Sequence, residues 1–390
     1  MRRARRLPMA TVLVCGLALA ACADTSRHGE GAPATGTPVE DLPPSTRGQV
    51  PGDSWARAEP ADAGFDPDKL DALAEQAERA ASSCVVVTRD GELVAEWYWG
   101  GASPETRREA FSVTKSVTSL LVGIAQDSGA LTLEDHAAEY VPQWRGTPAE
   151  AVTVEDLLSN DSGRHWDLAT DYGQMAVRER DKTAFAIGLD QDHPPGEVWA
   201  YNNSAIQTLD AVLEAATGQD PVDYARERLF DPIGMRDSHL TRDAAGNALT
   251  FMGLRTTCRD LARFGLLVAH GGEWGGEQVV SRRFVEAATG APSTPLNAAY
   301  GYLFWLNHKG RIASPRLATS GTDGGSSIEG RLVPGAPGDA VWALGFRNQI
   351  VAIVPSAGVV AVRMGDAPPA GTVFDQATLT LGVLDALTDR

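Results

Sequence analysis

Lysine is scarce in this chain of 390 residues. Lys69, Lys115, Lys182 and Lys309 are the only four, and the other 30 of its 34 basic residues are arginines. A lysine on an apolar segment of such a chain asks for a reason. Positive charge is short overall: 34 basic against 51 acidic residues leaves a formal charge of −17. That balance repels phosphate backbones and anionic lipid headgroups, so a nucleic-acid partner is not expected. Cysteine is limited to Cys15, Cys22, Cys84 and Cys258, none at metal-ligand spacing to a histidine or another cysteine. No cluster of carboxylates and histidines suggests a metal, and no cofactor is expected. Beyond the N-terminal region no run of 18 apolar residues occurs, which argues against a membrane-spanning helix.

The N-terminus carries a different signal. Residues 1–6 read MRRARR and residues 7–21 read LPMATVLVCGLALAA, a basic stretch followed by an apolar one too short for an ordinary span. Leu19-Ala20-Ala21-Cys22 resembles the lipobox of bacterial lipoproteins. The resemblance implies a signal peptide over 1–21, acylation of Cys22 and an extracytoplasmic protein held to a bacterial membrane by lipid. Residues 22–54 are rich in Pro, Gly, Ser and Thr without apolar period and read as a flexible tether. Residues 55–390 would then fold. Cys84 and Cys258 are expected as two buried free thiols, although the compartment permits a disulfide.

In the folding part, residues 66–81 have helical spacing of Leu70, Leu73 and Ala77. Residues 84–99 read as a hairpin around Arg89-Asp90-Gly91. Residues 112–126 form a helix apolar around most of its girth. Further helices are expected over 153–159 with Thr153 as cap, 205–217, 221–229, 257–270 and 372–387. Strands are expected over 340–344, 349–355 and 358–364. The reading is an α/β (α+β) fold in which strands from both ends of the chain share one sheet flanked by helices, with a mostly helical insertion over roughly 130–250.

Ser112 and Lys115 lie three apart on one face of the apolar helix. A serine hydroxyl needs a base to become a nucleophile, and a lysine serves only if burial lowers its pKa. At the helix N-terminus the Ser112 N–H would point outward as an oxyanion donor. Tyr201-Asn202-Asn203 sits at a loop-to-helix junction. There Tyr201, its pKa depressed by two cations, could relay a proton. Asn203 could bond Lys115 and a substrate carbonyl, while Asn202, Asn203 or Ser204 could simply cap the helix. Gly345, ending Ala343-Leu344-Gly345, would allow close approach of substrate backbone, and the next N–H, on Phe346, is a second candidate oxyanion donor. Asp323, within Gly321-Thr322-Asp323-Gly324-Gly325, reads as a turn residue.

These segments, in this order, resemble the serine beta-lactamase and penicillin-recognising family, whose class C and esterase branches carry S-x-x-K, Y-x-N and K-T-G. Flanking phrases carry the same resemblance: Asp156-Leu157-Leu158 with Ser162-Gly163, Pro195-Gly196-Glu197, Leu229-Phe230-Asp231-Pro232-Ile233-Gly234-Met235, Asp260-Leu261-Ala262-Arg263-Phe264-Gly265, and Tyr300-Gly301-Tyr302 with Trp305. The resemblance implies a serine hydrolase with Ser112, Lys115 and Tyr201 catalytic, and with Phe346, Asn203, Gly345 and Tyr172 around the substrate. The third motif lacks its lysine. That departure is similar to the esterase and 6-aminohexanoate-dimer hydrolase branch and points to an ester or small amide as substrate. A beta-lactamase or D-amino-acid peptidase, and a non-catalytic penicillin-binding-like lipoprotein, are the alternatives. Arg347 is the nearest replacement cation, its direction open.

Overall fold

The long strands form towards the two ends of the chain, where β-branched residues run in series. The computed structural model describes residues 50–320 and 327–388. The chain divides into two units, Met1–Pro44 and Ser45–Arg390, and every described residue belongs to the second. The leader, Cys22 and the turn around Asp323 lie outside the described residues.

Helix α1 (Pro67–Arg79), capped by Asp66, leads into strands β1 (Ser82–Arg89) and β2 (Glu92–Tyr98). Asp90 and Gly91 join them, both at positive φ (49° and 86°), the backbone a two-residue hairpin turn requires. Then come α2 (Val113–Asp127) and α3 (Val154–Ser159), the latter closed by a capping box between Thr153 and Asp156. Two helices, α4 (Asn203–Gln207) and α5 (Leu209–Thr217), replace the single one expected over 205–217, with a break at Thr208. Helix α6 (Cys258–Ala269) follows, then β3 (Trp305–Leu306), β4 (Val341–Gly345), β5 (Gln349–Val354), β6 (Val359–Gly365) and α7 (Gln376–Ala386).

One antiparallel sheet runs β2-β1-β6-β5-β4-β3, so strands from both ends share it, joined where β1 pairs with β6. Its central strands are buried on both faces, because helices cover both. Register puts Val86, Thr88, Val351, Ile353, Val360 and Val362 on one face. There α6 lies so close that a Cβ on Gly265 would stand 2.5 Å from Val360 Cγ1. On the opposite face Trp342 donates from Nε1 to Thr380 Oγ1 of α7 at 2.9 Å, and α7 packs on α1.

The expectation of two free thiols is overturned: Cys84 and Cys258 form a disulfide. Cys84 shares the face of Val86 and Thr88, towards α6, and Cys258 is the first residue of α6. Strand pleat and helix start bring the sulfurs together across 174 residues of sequence.

Between α2 and α6 the chain is made of short helical pieces. They include a wide π-helical turn, Ala169–Met175, and another, Arg226–Phe230, which continues the helix Pro221–Ala225. Order there rests on buried polar side chains: Asp210 accepts from Thr183 Oγ1 at 2.8 Å and from Ala248 N at 3.0 Å. Packed structure begins inside the segment read as tether, where the Pro51 and Gly52 carbonyls accept from Arg263 at 3.1 and 2.7 Å. No helix of the described residues is long and apolar enough to cross a membrane.

Candidate active site

The apolar girth of α2 buries Val113 to Ala125 and so fixes Ser112 at its N-terminus. Ser112 makes no side-chain capping bond, leaving Oγ available for other contacts. Phe111 before it is held at φ 48°, a left-handed backbone that costs a non-glycine residue about 1 kcal/mol or more. Several contacts hold it there. Thr114 Oγ1 donates to the Phe111 carbonyl at 2.6 Å, and Ala110 N to the Leu254 carbonyl at 2.9 Å. Gly345 at the end of β4 packs so tightly here that a Cβ would collide with the Ala110 carbonyl oxygen. The glycine expected to admit substrate backbone instead admits the protein's own.

Lys115 is fully buried. Its Nζ donates to Ser112 Oγ at 2.8 Å and to the Phe251 carbonyl at 3.0 Å. No carboxylate lies within salt-bridge distance among the described residues. Burial drives its pKa from 10.5 down to about 7, against a partial upward pull from Asp171. The ammonium lies 4.8 Å from the centre of the Tyr201 ring, which stacks on Trp305 at 5.7 Å and meets Tyr300 edge-on at 6.1 Å. Trp166 Nε1 donates to the Tyr201 carbonyl at 3.0 Å, which places Trp166 at the site. The Tyr201 phenol also faces Ser112. Its pKa was expected to fall; burial instead raises it, only partly opposed by Ser112. Of the two expected cations one is missing, since buried Ala343 occupies the lysine position of the third motif.

Asp171, which no spacing singled out, is the side chain that organises the neighbouring wall. It projects from the wide turn Ala169–Met175 and is 1% exposed. Its carboxylate accepts from Asn203 N (3.1 Å), Asn203 Nδ2 (2.7 Å), Ser204 N (2.8 Å) and Ser204 Oγ (2.7 Å) at the start of α4. Burial raises its pKa, and these donors oppose the rise. Asn202, not Asn203, caps α4, accepting from Ala205 N at 2.9 Å. Among the described residues no hydrogen bond joins Asn203 to Lys115, whose Nζ is directed at Ser112 and the Phe251 carbonyl; the Asn203 NH2 group donates to Asp171, and its side chain also bonds that of Tyr172. Tyr172, next in the chain, is 39% exposed and stands beside Asn203; burial raises its pKa as well.

On the other side Phe346, 46% exposed, meets Phe111 edge-on at 5.5 Å. The Arg347 guanidinium lies over both rings, 5.8 and 5.9 Å from their centres, and pairs with Asp366 at 3.2 Å. Arg347 and Asn348 both have positive φ, and buried Arg363 holds that turn by donating to their carbonyls at 2.6 and 2.9 Å. A lone charge in the apolar run of β6 was the visible signal for Arg363; Asp171 left none.

The arrangement can do nucleophilic chemistry: a hydroxyl at a strained helix start, a near-neutral amine in contact with it, and a phenol beside both. A family model described as beta-lactamase matches residues 70–382. The chain is 28% identical over 263 residues to a 6-aminohexanoate-dimer hydrolase of Paenarthrobacter ureafaciens, covering 61% of this chain and 66% of the relative. It is 31% identical over 172 residues to a D-aminopeptidase of Cereibacter sphaeroides, covering 40% and 32%. The chain thus spans just under two thirds of the first relative and about a third of the second. Among solved structures, a Bacillus anthracis protein proposed to be a 6-aminohexanoate-dimer hydrolase superposes with TM-score 0.66 at 21% identity, covering 86% of this chain and 87% of that one. A class C beta-lactamase superposes with TM-score 0.62 at 17% identity, covering 83% and 96%. These two likenesses establish the fold.

Proposed function

Because the chain belongs to the beta-lactamase family, we propose that it is a serine hydrolase forming an acyl-enzyme on Ser112. Lys115, neutral above about pH 7, takes the Ser112 proton as Oγ attacks the substrate carbonyl. The N–H groups of Ser112 and Phe346 receive the oxyanion. Tyr201, whose raised pKa keeps it protonated, hands its proton to the leaving group and takes the one Lys115 holds, so that the amine and the phenol are both restored for deacylation. Water then releases the acyl group. The observation that carries this reading is the 2.8 Å contact between Lys115 Nζ and Ser112 Oγ in a site where burial disfavours the ammonium.

The substrate proposed is an ester or small amide, in keeping with the absent strand lysine and with the relatives named above. The same reading places the enzyme outside the cytoplasm on a lipid at Cys22, supported by the sequence of residues 1–22. Replacement of Cys22 by Ala is expected to release it from membranes.

The test uses the soluble domain from residue 50 with p-nitrophenyl esters, nitrocefin and a fluorophosphonate label, and Ser112→Ala and Lys115→Ala as controls. Ester turnover and labelling lost in both variants are expected. Folded protein that neither turns over esters nor takes the label sinks the hydrolase reading and leaves a binding protein. Nitrocefin turnover well above the Ser112→Ala background moves the substrate to a beta-lactam.

A further inference from the structure

Every residue of β6 is buried, and all but one are apolar or glycine. The exception, Arg363, is 0% exposed and faces Val85 and Ile350 across the sheet, where an aliphatic side chain would satisfy the packing. Burial pushes its guanidinium from 12.5 down to about 10; Arg108 adds to the fall and Asp366 opposes it. Among the described residues no carboxylate oxygen bonds it. All five of its bonds go instead to neutral oxygens at one end of the sheet. Nε donates to Ser82 Oγ (2.9 Å), and Nη2 to the Ala80 (3.0 Å) and Asp366 (2.8 Å) carbonyls. Nη1 donates to the Arg347 (2.6 Å) and Asn348 (2.9 Å) carbonyls. That last pair belongs to the turn that follows β4 and begins with Phe346. Arg347 and Asn348 hold left-handed backbone there, φ 63° and 59°, which persists only where the surroundings enforce it. Buried Gln349 completes the clamp: its Nε2 donates to the Phe346 carbonyl at 3.0 Å and to the Gly365 carbonyl at 2.8 Å.

We propose that Arg363 is a positioning residue for catalysis: by clamping the turn of residues 346–348 it keeps the Phe346 N–H aimed at the oxyanion formed when Ser112 attacks. The proposal rests on the serine hydrolase reading and adds to it a residue that touches neither nucleophile nor substrate. An oxyanion donor is effective only if it is already in place when the charge develops. The Phe346 ring is 46% exposed, so its own packing does not fix the peptide; the bonded carbonyls behind it do. With the carbonyls of residues 346, 347 and 348 all held, planar peptides leave this stretch little freedom to rotate. One planar guanidinium serves five partners at once, whereas a lysine ammonium has three donors and cannot.

The experiment compares p-nitrophenyl acetate with its thionoester analogue, in which sulfur replaces the carbonyl oxygen and the leaving group is kept. Sulfur is a weak acceptor, so the ratio of the two kcat/KM values reads how well the oxyanion donors are placed. Each rate is corrected for the Ser112→Ala background. Wild type is expected to favour the oxygen ester by about a hundredfold or more. Arg363→Lys, which keeps the charge but not the fork, and Arg363→Met, which removes both, are each expected to lower that ratio about tenfold. The ratio is taken within each enzyme, so a reduced folded fraction cancels, and a role confined to stability leaves it unmoved. Should neither variant fold, Asn348→Gly loosens the same turn from its outer side. Glycine suits the left-handed backbone there, and the Asn348 Nδ2 bond to the Phe374 carbonyl (2.8 Å) is lost, so the ratio is expected to fall again. A ratio equal to that of wild type in the folded Arg363 variants, or in Asn348→Gly where they do not fold, overturns the proposal and leaves the hydrolase reading standing. A wild-type ratio near one does the same. No turnover together with no fluorophosphonate labelling overturns both.

Discussion

The two sides of the site are held by different physics. Lys115 and Gly345 sit on α2 and β4, and Ser112 and Phe346 at their ends, and both elements are placed by apolar packing in the core. Asn203, Asp171 and Tyr172 sit on short helical pieces, and Tyr201 on the loop leading into one, all held by hydrogen bonds between polar groups. Packing of the first kind is indifferent to pH and tolerant of small polar changes. The second kind has charges within it, and each lost partner leaves a buried group unpaired. The reaction takes place at the seam. The nucleophile is placed by the apolar side and its electrostatics are set in part by the polar one.

Lys115 is where the apolar side carries a charge, and its replacement has the largest expected effect. Lys115→Met should lower kcat/KM about a thousandfold or more. It should also alter how stability follows pH. The folded-state pKa is about 7 and the ordinary value is 10.5, so below pH 7 folded and unfolded chains both carry the proton and the full burial cost is present. Between pH 7 and 10.5 the unfolded chain binds more protons than the folded one, and wild-type stability rises with pH. Lys115→Met therefore melts above wild type at pH 6, and the gap narrows towards pH 10. Parallel melting curves across that range would show that Lys115 is not desolvated. In the wild type, kcat/KM should climb as pH passes about 7.

Two changes probe the packing itself. Removing the disulfide with Cys84→Ser and Cys258→Ser together should cost about 2–5 kcal/mol in denaturant unfolding, and reductant should reproduce the loss in wild type. Gly345→Ala should cost less, about 1–3 kcal/mol, because the new methyl group presses on the Ala110 carbonyl. That pressure falls one residue from strained Phe111, so the fluorophosphonate labelling rate of the folded variant should drop further than its stability does. Unchanged labelling would show that the strained turn and β4 are independent.

The same division explains what could be read from sequence. The hairpin at Asp90-Gly91, helix α2 and strands β4 to β6 announced themselves by period and by turn residues. Ser112 and Lys115 were legible because one helix carries both. Tyr201 was legible through the order of motifs. Asp171 was not: its partners lie 32 and 33 residues away, and it sits on a wide turn with no periodicity. Nor was the disulfide, because pairing depends on which face of β1 Cys84 occupies and on where α6 begins. Arg363 was not singled out either: it is a charge in an apolar strand, and the carbonyls it bonds come from a turn that spacing does not locate.

The smallest effect sharpens the comparison most, because it should run opposite in pH to that of Lys115. His165 Nδ1 meets Asp192 at 2.8 Å and Nε2 meets Asp167 at 3.1 Å, so both ring nitrogens must carry hydrogen to complete the clasp. Burial pulls the imidazole pKa down, but bonds and charges from the two aspartates outweigh it and leave it raised above 6.5. Asp167 in turn accepts from the N–H groups of Ala169 and Thr170, at the start of the turn that carries Asp171. A raised folded-state pKa means the clasp stabilises fully below pH 6.5 and fades as pH rises through the folded value. His165→Gln should therefore cost up to about 1 kcal/mol at pH 6, limited by solvent screening at this partly exposed site, and nothing at pH 9. Hydrogen exchange at Ala169 and Thr170 should quicken in the variant at pH 6 only, after correction for intrinsic rates. An equal increase at both pH values would mean that the ring matters for its shape and not for its charge. The polar side would then lack the acid-favoured clasp that sets it against the base-favoured apolar side.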